Sequence, residues 1–364
     1  MAEASTETTT SDAAERTREM QNSGTKDVVE SHRFDEPSLD RWMAANVAGY
    51  QGPLEVRQFK GGQSNPTYQL ITPAKKYVMR RKPPGKLLPS AHAVDREYRV
   101  ITALHPTGFP VAKSYGLCTD DSVIGTMFYV MDMVEGRIIW DQSLPQYTPE
   151  ERYPIYMAQV KTLADLHNTD YKAIGLEDYG RTGNYMARQI DRWTKQYKAS
   201  ETQHIDTIER LIEWLPKTCP VDDQTSIVHG DYRMDNMAMH PTEPRVIAVL
   251  DWELGTLGNP LADFTYLLMG WVNGSMAAIE DKKAHGAPTI EAVVEDYCQR
   301  TGRSGLPDLN WYFAYNIFRL AGIIQGIVGR ARDGTANSPQ AAAMSARVPA
   351  LGAAAWKFAA KAGA

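Results

Sequence analysis

Apolar residues in the first third of the chain predict a small β-rich region with two helices. They recur at helical spacing after Pro37 and again between residues 91 and 104. Alternating or continuous apolar runs predict strands at residues 54–59, 67–71, 77–81 and 128–131. A glycine-containing turn joins the first two strands. This order of elements indicates an N-terminal lobe over residues 34–133.

The rest of the chain is mainly helical. Periodic segments predict helices at residues 155–167, 205–214, 289–301 and 311–327, and two short apolar strands interrupt them at 226–228 and 246–250. We therefore predict an α+β fold with a larger helical C-lobe over residues 134–340. The polar residues 1–33 lack periodicity and predict a disordered tail, whereas the Ala-rich residues 341–364 predict a C-terminal helix.

Composition excludes several classes of protein. The formal net charge of −5 and a pI near 5.9 give no basic surface of the kind that binds nucleic acid. Cys118, Cys219 and Cys298 form no CxxC pair, so we expect neither a zinc site nor a disulfide framework. The sequence contains no apolar run long enough for a membrane span. We expect a cytoplasmic protein without a nucleic-acid or membrane partner.

The strongest chemical signal is the segment His229-Gly230-Asp231, with Asn236 five residues after Asp231 and Asp251 at the end of the next apolar strand. Phosphoryl transfer needs a carboxylate that orients the attacking hydroxyl and oxygen ligands for Mg²⁺. Asp231 can serve as the catalytic carboxylate, and Asn236 and Asp251 can bind the metal. Each tripeptide alone is also an ordinary polar turn, but the ordered combination favours the enzymatic interpretation.

These motifs resemble the aminoglycoside phosphotransferase family, also called choline kinase-like, over about residues 38–330. The resemblance implies a two-lobed protein-kinase-like fold, ATP and Mg²⁺ as cofactors, and the roles just given to Asp231, Asn236 and Asp251. It also implies that His229 is part of the structural support of the catalytic loop and that Asp263 braces this loop. The alternative interpretation of Asp263 is a helix N-cap.

The resemblance also assigns a nucleotide site to the N-lobe. Gly61, Gly62, Ser64 and Asn65 match a turn over the phosphates, although a Gly-Gly pair between strands is also an ordinary hairpin. Backbone groups of Asp132 and Val134 match the hinge that pairs with the adenine edge.

An arginine stands where kinases carry a lysine on the third strand. Arg80 can hold phosphate through its planar guanidinium and pair with Glu97 on the next helix. Lys82 lies on the same side of the strand and is the alternative. Glu97 can equally belong to a solvated helix face, and the sequence leaves both choices open.

Two further segments, at residues 81–92 and 251–258, resemble the branch of the family fused to, or encoded beside, acyl-CoA dehydrogenases. This resemblance implies a hydroxyacyl-CoA acceptor, such as a 4-hydroxyacyl-CoA, and a functional link to an acyl-CoA dehydrogenase. Positive charge concentrates between residues 75 and 86, which suits a CoA phosphate, but ATP alone also accounts for it.

Two rival functions remain open at this point. The first rival is an aminoglycoside or other small-alcohol or sugar kinase, and a polycationic aminoglycoside needs a carboxylate-rich wall. Acidic residues at 280–296 could supply that wall, but neighbouring lysines dilute them. The second rival is a pseudokinase scaffold that binds nucleotide without catalysis, and Arg80 in place of lysine is its support.

Overall fold

The computed structural model describes residues 23–61, 65–84, 92–221, 224–334 and 341–364. The chain divides into two compact units. The first contains the residues up to Pro145, together with Ile174–Leu176 and Met234–Gly255, and the second contains Gln146–Ala173, Glu177–Arg233 and Thr256–Ala364. The first unit thus includes residues 134–145, 174–176 and 234–255, which the sequence pattern assigns to the C-lobe.

Short strands occur along much of the chain. They are β1 Thr25–Lys26, β2 Glu55–Phe59, β3 Thr67–Ile71, β4 Lys76–Arg81, β5 Ser114–Cys118, β6 Phe128–Asp132, β7 Ser226–Val228, β8 Met237–Met239, β9 Val246–Val249 and β10 Thr256–Gly258.

Helices occur in both units and dominate the second. In chain order they are α1 Glu36–Asn46, α2 Val94–Leu104, α3 Pro149–Asn168, α4 Tyr185–Ser200, α5 Asp206–Lys217, α6 Pro260–Leu267, α7 Met269–Asn273, α8 Lys282–His285, α9 Ile290–Thr301, α10 Asn310–Arg332 and α11 Ala341–Lys361.

The first unit is built on a six-stranded antiparallel sheet in the order β1-β2-β3-β4-β6-β5. Successive side chains of a strand point to opposite faces. Met79 therefore packs in the apolar cluster that includes Leu39 of α1, whereas Arg80 turns to the other face, where it meets Glu97 of α2. Strand β4 is buried from Tyr77 to Arg81 because both faces are covered.

The N-terminal tail prediction needs a correction. Residues 1–22 lie outside the described part, but residues 23–33 contain β1 and a 3₁₀ turn at Glu30–His32. Thr25 and Lys26 pair with β2, so that β1 forms the edge of the sheet. The backbone carbonyl of His32 also accepts a hydrogen bond from Arg81 Nη2 at 2.9 Å. Backbone pairing to a pre-existing sheet edge orders this segment, and hydrophobic periodicity cannot reveal such pairing.

The hairpin of β8 and β9 connects residues 234–255 to the first unit. Met239 forms an antiparallel bridge with Arg137, and Val249 N–H donates to the carbonyl of Pro110 at 2.8 Å. Arg137 Nε further donates to the carbonyl of His240 at 2.7 Å. These backbone contacts and the Arg137 side chain explain why a segment far along the chain folds with the sheet.

The second unit packs around the long helix α10. Helix α11 lies along it, with the rings of Phe313 and Phe358 at 5.3 Å, and it also contacts α5, where Arg210 lies 3.7 Å above the ring of Trp356. Strand β7 pairs with β10 in an antiparallel ribbon. The turn that follows β7 carries the segment beginning at His229.

Among the described residues, no helix combines the length and the apolar content that crossing a lipid bilayer requires.

Candidate active site

Arg80 is the centre of a buried ion-pair network in the first unit. Its Nε lies 2.9 Å from Glu97 Oε2, and its Nη2 lies 2.9 Å from Asp251 Oδ1. Burial disfavours the cation, but the two carboxylates outweigh this effect and raise the pKa of Arg80. One guanidinium thus bridges a helix carboxylate and the carboxylate proposed for metal binding. Lys82, the alternative from the sequence, lies 4.0 Å from Asp95 instead.

Glu97 is held on both carboxylate oxygens. Asn65 Nδ2 donates to its Oε1 at 2.7 Å, and the hydroxyl of Tyr129 donates to its Oε2 at 3.1 Å. The side chain is 1% exposed. Burial raises the pKa of Glu97, whereas the charge of Arg80 opposes this shift without cancelling it. The interpretation of Glu97 as part of a solvated helix face is therefore wrong.

The predicted phosphate turn is only partly described. Gly62 and Ser64 lie outside the described residues, and Gly61 lies two residues after the end of β2 and is half-buried. Asn65 is fully buried, and its side chain contacts Glu97 and Nδ1 of His92, at 3.0 Å. In this structure the Asn65 side chain supports the ion-pair network.

The hinge residues lie at the end of β6. Asp132 N–H donates to the carbonyl of Lys113 at 2.8 Å, and its Oδ1 accepts from the Tyr115 hydroxyl at 2.7 Å and lies 2.6 Å from Lys75 Nζ. Val134 is half-buried two residues further on. The assignment of these backbone groups to adenine binding stays a prediction.

Asn236 and Asp251 are brought to adjacent segments of the first unit. Asn236 ends the 3₁₀ turn Met234–Asn236, and its carbonyl accepts from the N–H of Leu250, the residue before Asp251, at 2.8 Å. Asp251 has a left-handed backbone with φ of 62°, which aspartate tolerates better than most residues. Its side chain is 37% exposed, and Asn236 is buried. A carboxylate and an amide oxygen form a donor set suited to Mg²⁺.

The turn after β7 is held by Asp263. Its Oδ2 accepts from the backbone N–H of His229, and its Oδ1 accepts from that of Gly230 at 2.8 Å. Gly230 has φ of 83°, a conformation that glycine adopts without strain. Asn259 is the N-cap of α6, because its side chain accepts from the N–H of Leu261 at 2.8 Å. The N-cap interpretation of Asp263 is therefore wrong.

Behind Asp263 lies a buried histidine that the sequence did not single out. His167 Nε2 lies 4.0 Å from Asp263 Oδ2, and its Nδ1 is 2.7 Å from the hydroxyl of Tyr297. Burial lowers the pKa of His167, and the neighbouring Asp263 opposes this only in part. A neutral imidazole therefore packs against the carboxylate that holds the turn.

Asp231 has a different partner on each oxygen. The hydroxyl of Tyr266 donates to Oδ1 at 2.6 Å, and Arg233 Nε lies 3.4 Å from Oδ2. The side chain is 25% exposed. Burial alone would raise the pKa of Asp231, but the charge of Arg233 and the hydrogen bond from Tyr266 outweigh it and keep the pKa below its ordinary value. The carboxylate is ionised at neutral pH and can accept a proton.

The residues that surround this carboxylate from the second unit were missed from the sequence. Tyr266 lies one turn after Asp263 on α6, and Arg319 comes from α10. Arg319 Nη2 donates to the carbonyl of Gly230, and its guanidinium lies 4.9 Å from the ring centre of Tyr266. The i, i+3 spacing from Asp263 was the available signal for Tyr266. For Arg319 the sequence held no comparable signal.

Comparison with known proteins supports the kinase-like arrangement. Residues 55–302 match the model of the phosphotransferase enzyme family known as APH. A crystal structure from Ralstonia eutropha, whose name assigns it to the aminoglycoside phosphotransferases, is 51% identical with a TM-score of 0.83, over 90% of this chain and 99% of that one. Spectinomycin phosphotransferase, solved with ADP and spectinomycin, shares the fold at 12% identity with a TM-score of 0.60, over 90% and 98% of the two chains.

A curated relative has a different name. Acyl-CoA dehydrogenase family member 11 of Gallus gallus is 44% identical over 328 residues. This match covers 86% of the present chain but 42% of the relative. The chain thus spans less than half the length of that relative, and the remaining part has no counterpart in the alignment.

Proposed function

The chain belongs to the phosphotransferase enzyme family, and on this premise we propose that it transfers the γ-phosphoryl group of ATP to the hydroxyl of a hydroxyacyl-CoA, such as a 4-hydroxyacyl-CoA. The transfer itself, from a nucleotide to a hydroxyl acceptor, is the activity of the family. The fold is that of kinase-like phosphotransferases, with a six-stranded antiparallel sheet in one unit and a mainly helical second unit. The observation that carries the mechanism is the ionised, tethered carboxylate of Asp231.

The proposed phosphoryl transfer exchanges one phosphorus–oxygen bond for another. The acceptor oxygen bonds to the γ-phosphorus, the bond from that phosphorus to the bridging oxygen breaks, and ADP leaves. Asp231 orients the hydroxyl and receives its proton, for which its lowered pKa keeps the carboxylate ionised. The ADP bound to spectinomycin phosphotransferase supports the choice of nucleotide.

The first unit supplies the groups for nucleotide and metal in this proposal. Asn236 and Asp251 would hold Mg²⁺, which when bound offsets negative charge on the phosphates. Arg80 takes the place of the usual lysine and contacts both Glu97 and Asp251. Its planar fork makes both contacts from one side chain, which a lysine ammonium could not do in the same geometry. This arrangement argues against the pseudokinase interpretation.

The acceptor class is inferred from the name of a relative and from the positive charge next to Asp231. The Gallus gallus relative is named an acyl-CoA dehydrogenase family member, which supports a CoA thioester substrate and a functional link to an acyl-CoA dehydrogenase. The described cations next to Asp231 are Arg233 and Arg319. Positive charge at that position disfavours a polycationic aminoglycoside. An aminoglycoside is still the second candidate acceptor, because the Ralstonia eutropha structure is named an aminoglycoside phosphotransferase.

A substrate panel tests the proposal. Purified protein is incubated with ATP and Mg²⁺ together with 4-hydroxyacyl-CoAs, aminoglycosides, choline-like alcohols and sugars, and products are identified by mass spectrometry. We expect a phosphorylated hydroxyacyl-CoA and stoichiometric ADP. Asp231→Asn should lower turnover by about a thousandfold or more while nucleotide affinity stays within about twofold.

Two outcomes overturn parts of the proposal separately. Phosphorylation of aminoglycosides alone would reject the acyl-CoA acceptor and keep the kinase. Ordinary turnover by Asp231→Asn would reject Asp231 as the catalytic carboxylate. The exposed Asp191, which pairs with Lys195, provides the control variant Asp191→Asn, for which we expect unchanged turnover.

A further inference from the structure

Tyr266 makes a short, direct hydrogen bond to the proposed catalytic carboxylate. Its hydroxyl lies 2.6 Å from Asp231 Oδ1. The tyrosine sits on α6, the helix whose Asp263 holds the backbone N–H groups of His229 and Gly230. One short helix therefore fixes both the backbone and the side chain of the turn that carries Asp231.

A second residue fixes the tyrosine ring. The guanidinium of Arg319 lies 4.9 Å from the ring centre of Tyr266 and 5.4 Å from that of Trp193 on α4. Arg319 is buried, and its Nη2 donates to the carbonyl of Gly230. A cation that lies over an aromatic ring is attracted by the ring quadrupole, so Arg319 restrains the tyrosine and the catalytic turn together.

We propose that Tyr266 is a positioning residue, which holds Asp231 Oδ1 so that Oδ2 is directed to the acceptor hydroxyl. The inference rests on the proposed function, because it assigns the reacting oxygen of the same carboxylate. Without the tyrosine hydroxyl, the carboxylate can rotate about its χ2 bond, whose preference is broad. A group that folding already holds in one orientation reacts faster, because no further conformational entropy is lost when it is oriented for the reaction.

The phenol is suited to act as a permanent donor. Burial raises the pKa of Tyr266, and the charge of Asp231 raises it further, so the hydroxyl keeps its proton across the physiological range. Among the described residues, the other charged or titratable groups that act on the Asp231 carboxylate include Arg233 and His229 on its own turn and Arg319 on α10. Arg233 remains on the Oδ2 side, at 3.4 Å, and does not replace the hydrogen bond on Oδ1.

The test removes one oxygen atom. In Tyr266→Phe we expect kcat for phosphoryl transfer to fall about tenfold, since a hydrogen bond to a charged group is lost, while KM for ATP stays within about twofold. The matched control is Tyr156→Phe, which removes another buried hydroxyl of the same unit, one that contacts Met276 Sδ at 3.1 Å. We expect kcat of the control to equal that of the unchanged protein.

A second measurement does not depend on any acceptor. Full-length protein labelled with carbon-13 at the aspartate carboxyls is titrated by NMR without Mg²⁺, and the Asp231 signal is identified by its loss in Asp231→Asn. Tyr266→Phe should move the titration midpoint of Asp231 upwards, because a hydrogen bond that favours the ionised form has gone. Tyr156→Phe should leave the midpoint unchanged.

The outcomes separate this inference from the proposed function. An unmoved midpoint in Tyr266→Phe overturns the inference, even if kcat falls, because the loss would then be structural. An equal fall of kcat in Tyr156→Phe overturns it as well. If the unchanged protein phosphorylates none of the acceptors while the midpoint moves as expected, the tether on Asp231 is supported and the proposed function fails.

Discussion

At the scale of single residues, the sequence predicts the reactive groups of the candidate site but few of the residues that support them. The spacing of Asp231, Asn236 and Asp251 was informative because hard oxygen ligands and a carboxylate at strand ends suit phosphoryl transfer. The supports come from distant positions: Tyr266 is 35 residues from Asp231, and Arg319 is 89 residues from Gly230. Contacts of such separation are products of helix packing, which a single sequence does not specify.

Arg80 carries the first prediction at this scale. We expect Arg80→Ala to raise KM for ATP roughly tenfold with some loss of kcat, because the ion pair with Asp251 and the proposed contact with phosphate are lost. Steady-state kinetics at varied ATP measures this change. Lys82→Ala is the matched control, since Lys82 lies 4.0 Å from Asp95. If Lys82→Ala alone raised KM, the assignment of Arg80 would be wrong.

His167 carries a pH-dependent prediction. Burial lowers its pKa in the folded state, so the unfolded chain binds a proton that the folded chain does not. The free energy of unfolding should therefore fall as pH decreases below about 6.5, by up to about 1.4 kcal/mol per pH unit until the folded histidine also titrates. Urea unfolding at several pH values measures this slope.

The variant His167→Gln should reduce this slope, because glutamine binds no proton in that range. His204 provides the control: its side chain is 69% exposed and pairs with Asp206. We expect His204→Gln to keep the slope of the unchanged protein. Equal slopes for His167→Gln and the unchanged protein would contradict the assignment of the proton uptake to His167.

At the scale of elements, hydrophobic periodicity located most of the long segments and two of the short strands, but it missed α4, Tyr185–Ser200, and other short strands. The predicted strands at 54–59 and 67–71 correspond closely to β2 and β3, because alternation with one buried face is a strong signal. The predicted strand at 77–81 corresponds to β4, which contains an apolar run and is buried on both faces. Strands such as β10, Thr256–Gly258, contain too few positions to show a period. Such strands form because they pair with another segment, as β10 pairs with β7.

The packing of α11 on α5 gives a prediction at this scale. A Cβ on Gly352 would lie 2.6 Å from Thr207 Oγ1 and 3.0 Å from Ile208 Cδ1. Gly352→Val should therefore destabilise the protein by about 1–3 kcal/mol through overpacking. Ala353→Val on the exposed side of the same helix is the control, and it should change stability by about 0.5 kcal/mol or less. Urea unfolding that found equal stability for both variants would contradict this packing.

At the scale of the whole molecule, the boundary between the two units falls between Arg233 and Met234, and thus between Asp231 and Asn236. Glu177–Arg233, with Asp231, belong to the second unit, and Met234–Gly255, with Asn236 and Asp251, belong to the first. The proposed nucleotide and metal ligands and the proposed catalytic carboxylate are therefore held by separate cores. Variants of the two groups should affect different measurable quantities.

Thermal unfolding with and without ligand tests this separation. A ligand that binds the folded state raises the melting temperature in proportion to the logarithm of its concentration relative to Kd. We expect Mg²⁺ and ATP together to stabilise the unchanged protein and Asp231→Asn equally, and EDTA to remove most of this shift. Asp251→Asn should lose most of the Mg²⁺-dependent part, because the amide that replaces the carboxylate carries no charge to attract the metal. A full Mg²⁺-dependent rise of the melting temperature in Asp251→Asn would mean that other residues hold the metal. Loss of this rise in Asp231→Asn would mean that the proposed catalytic carboxylate also holds the nucleotide.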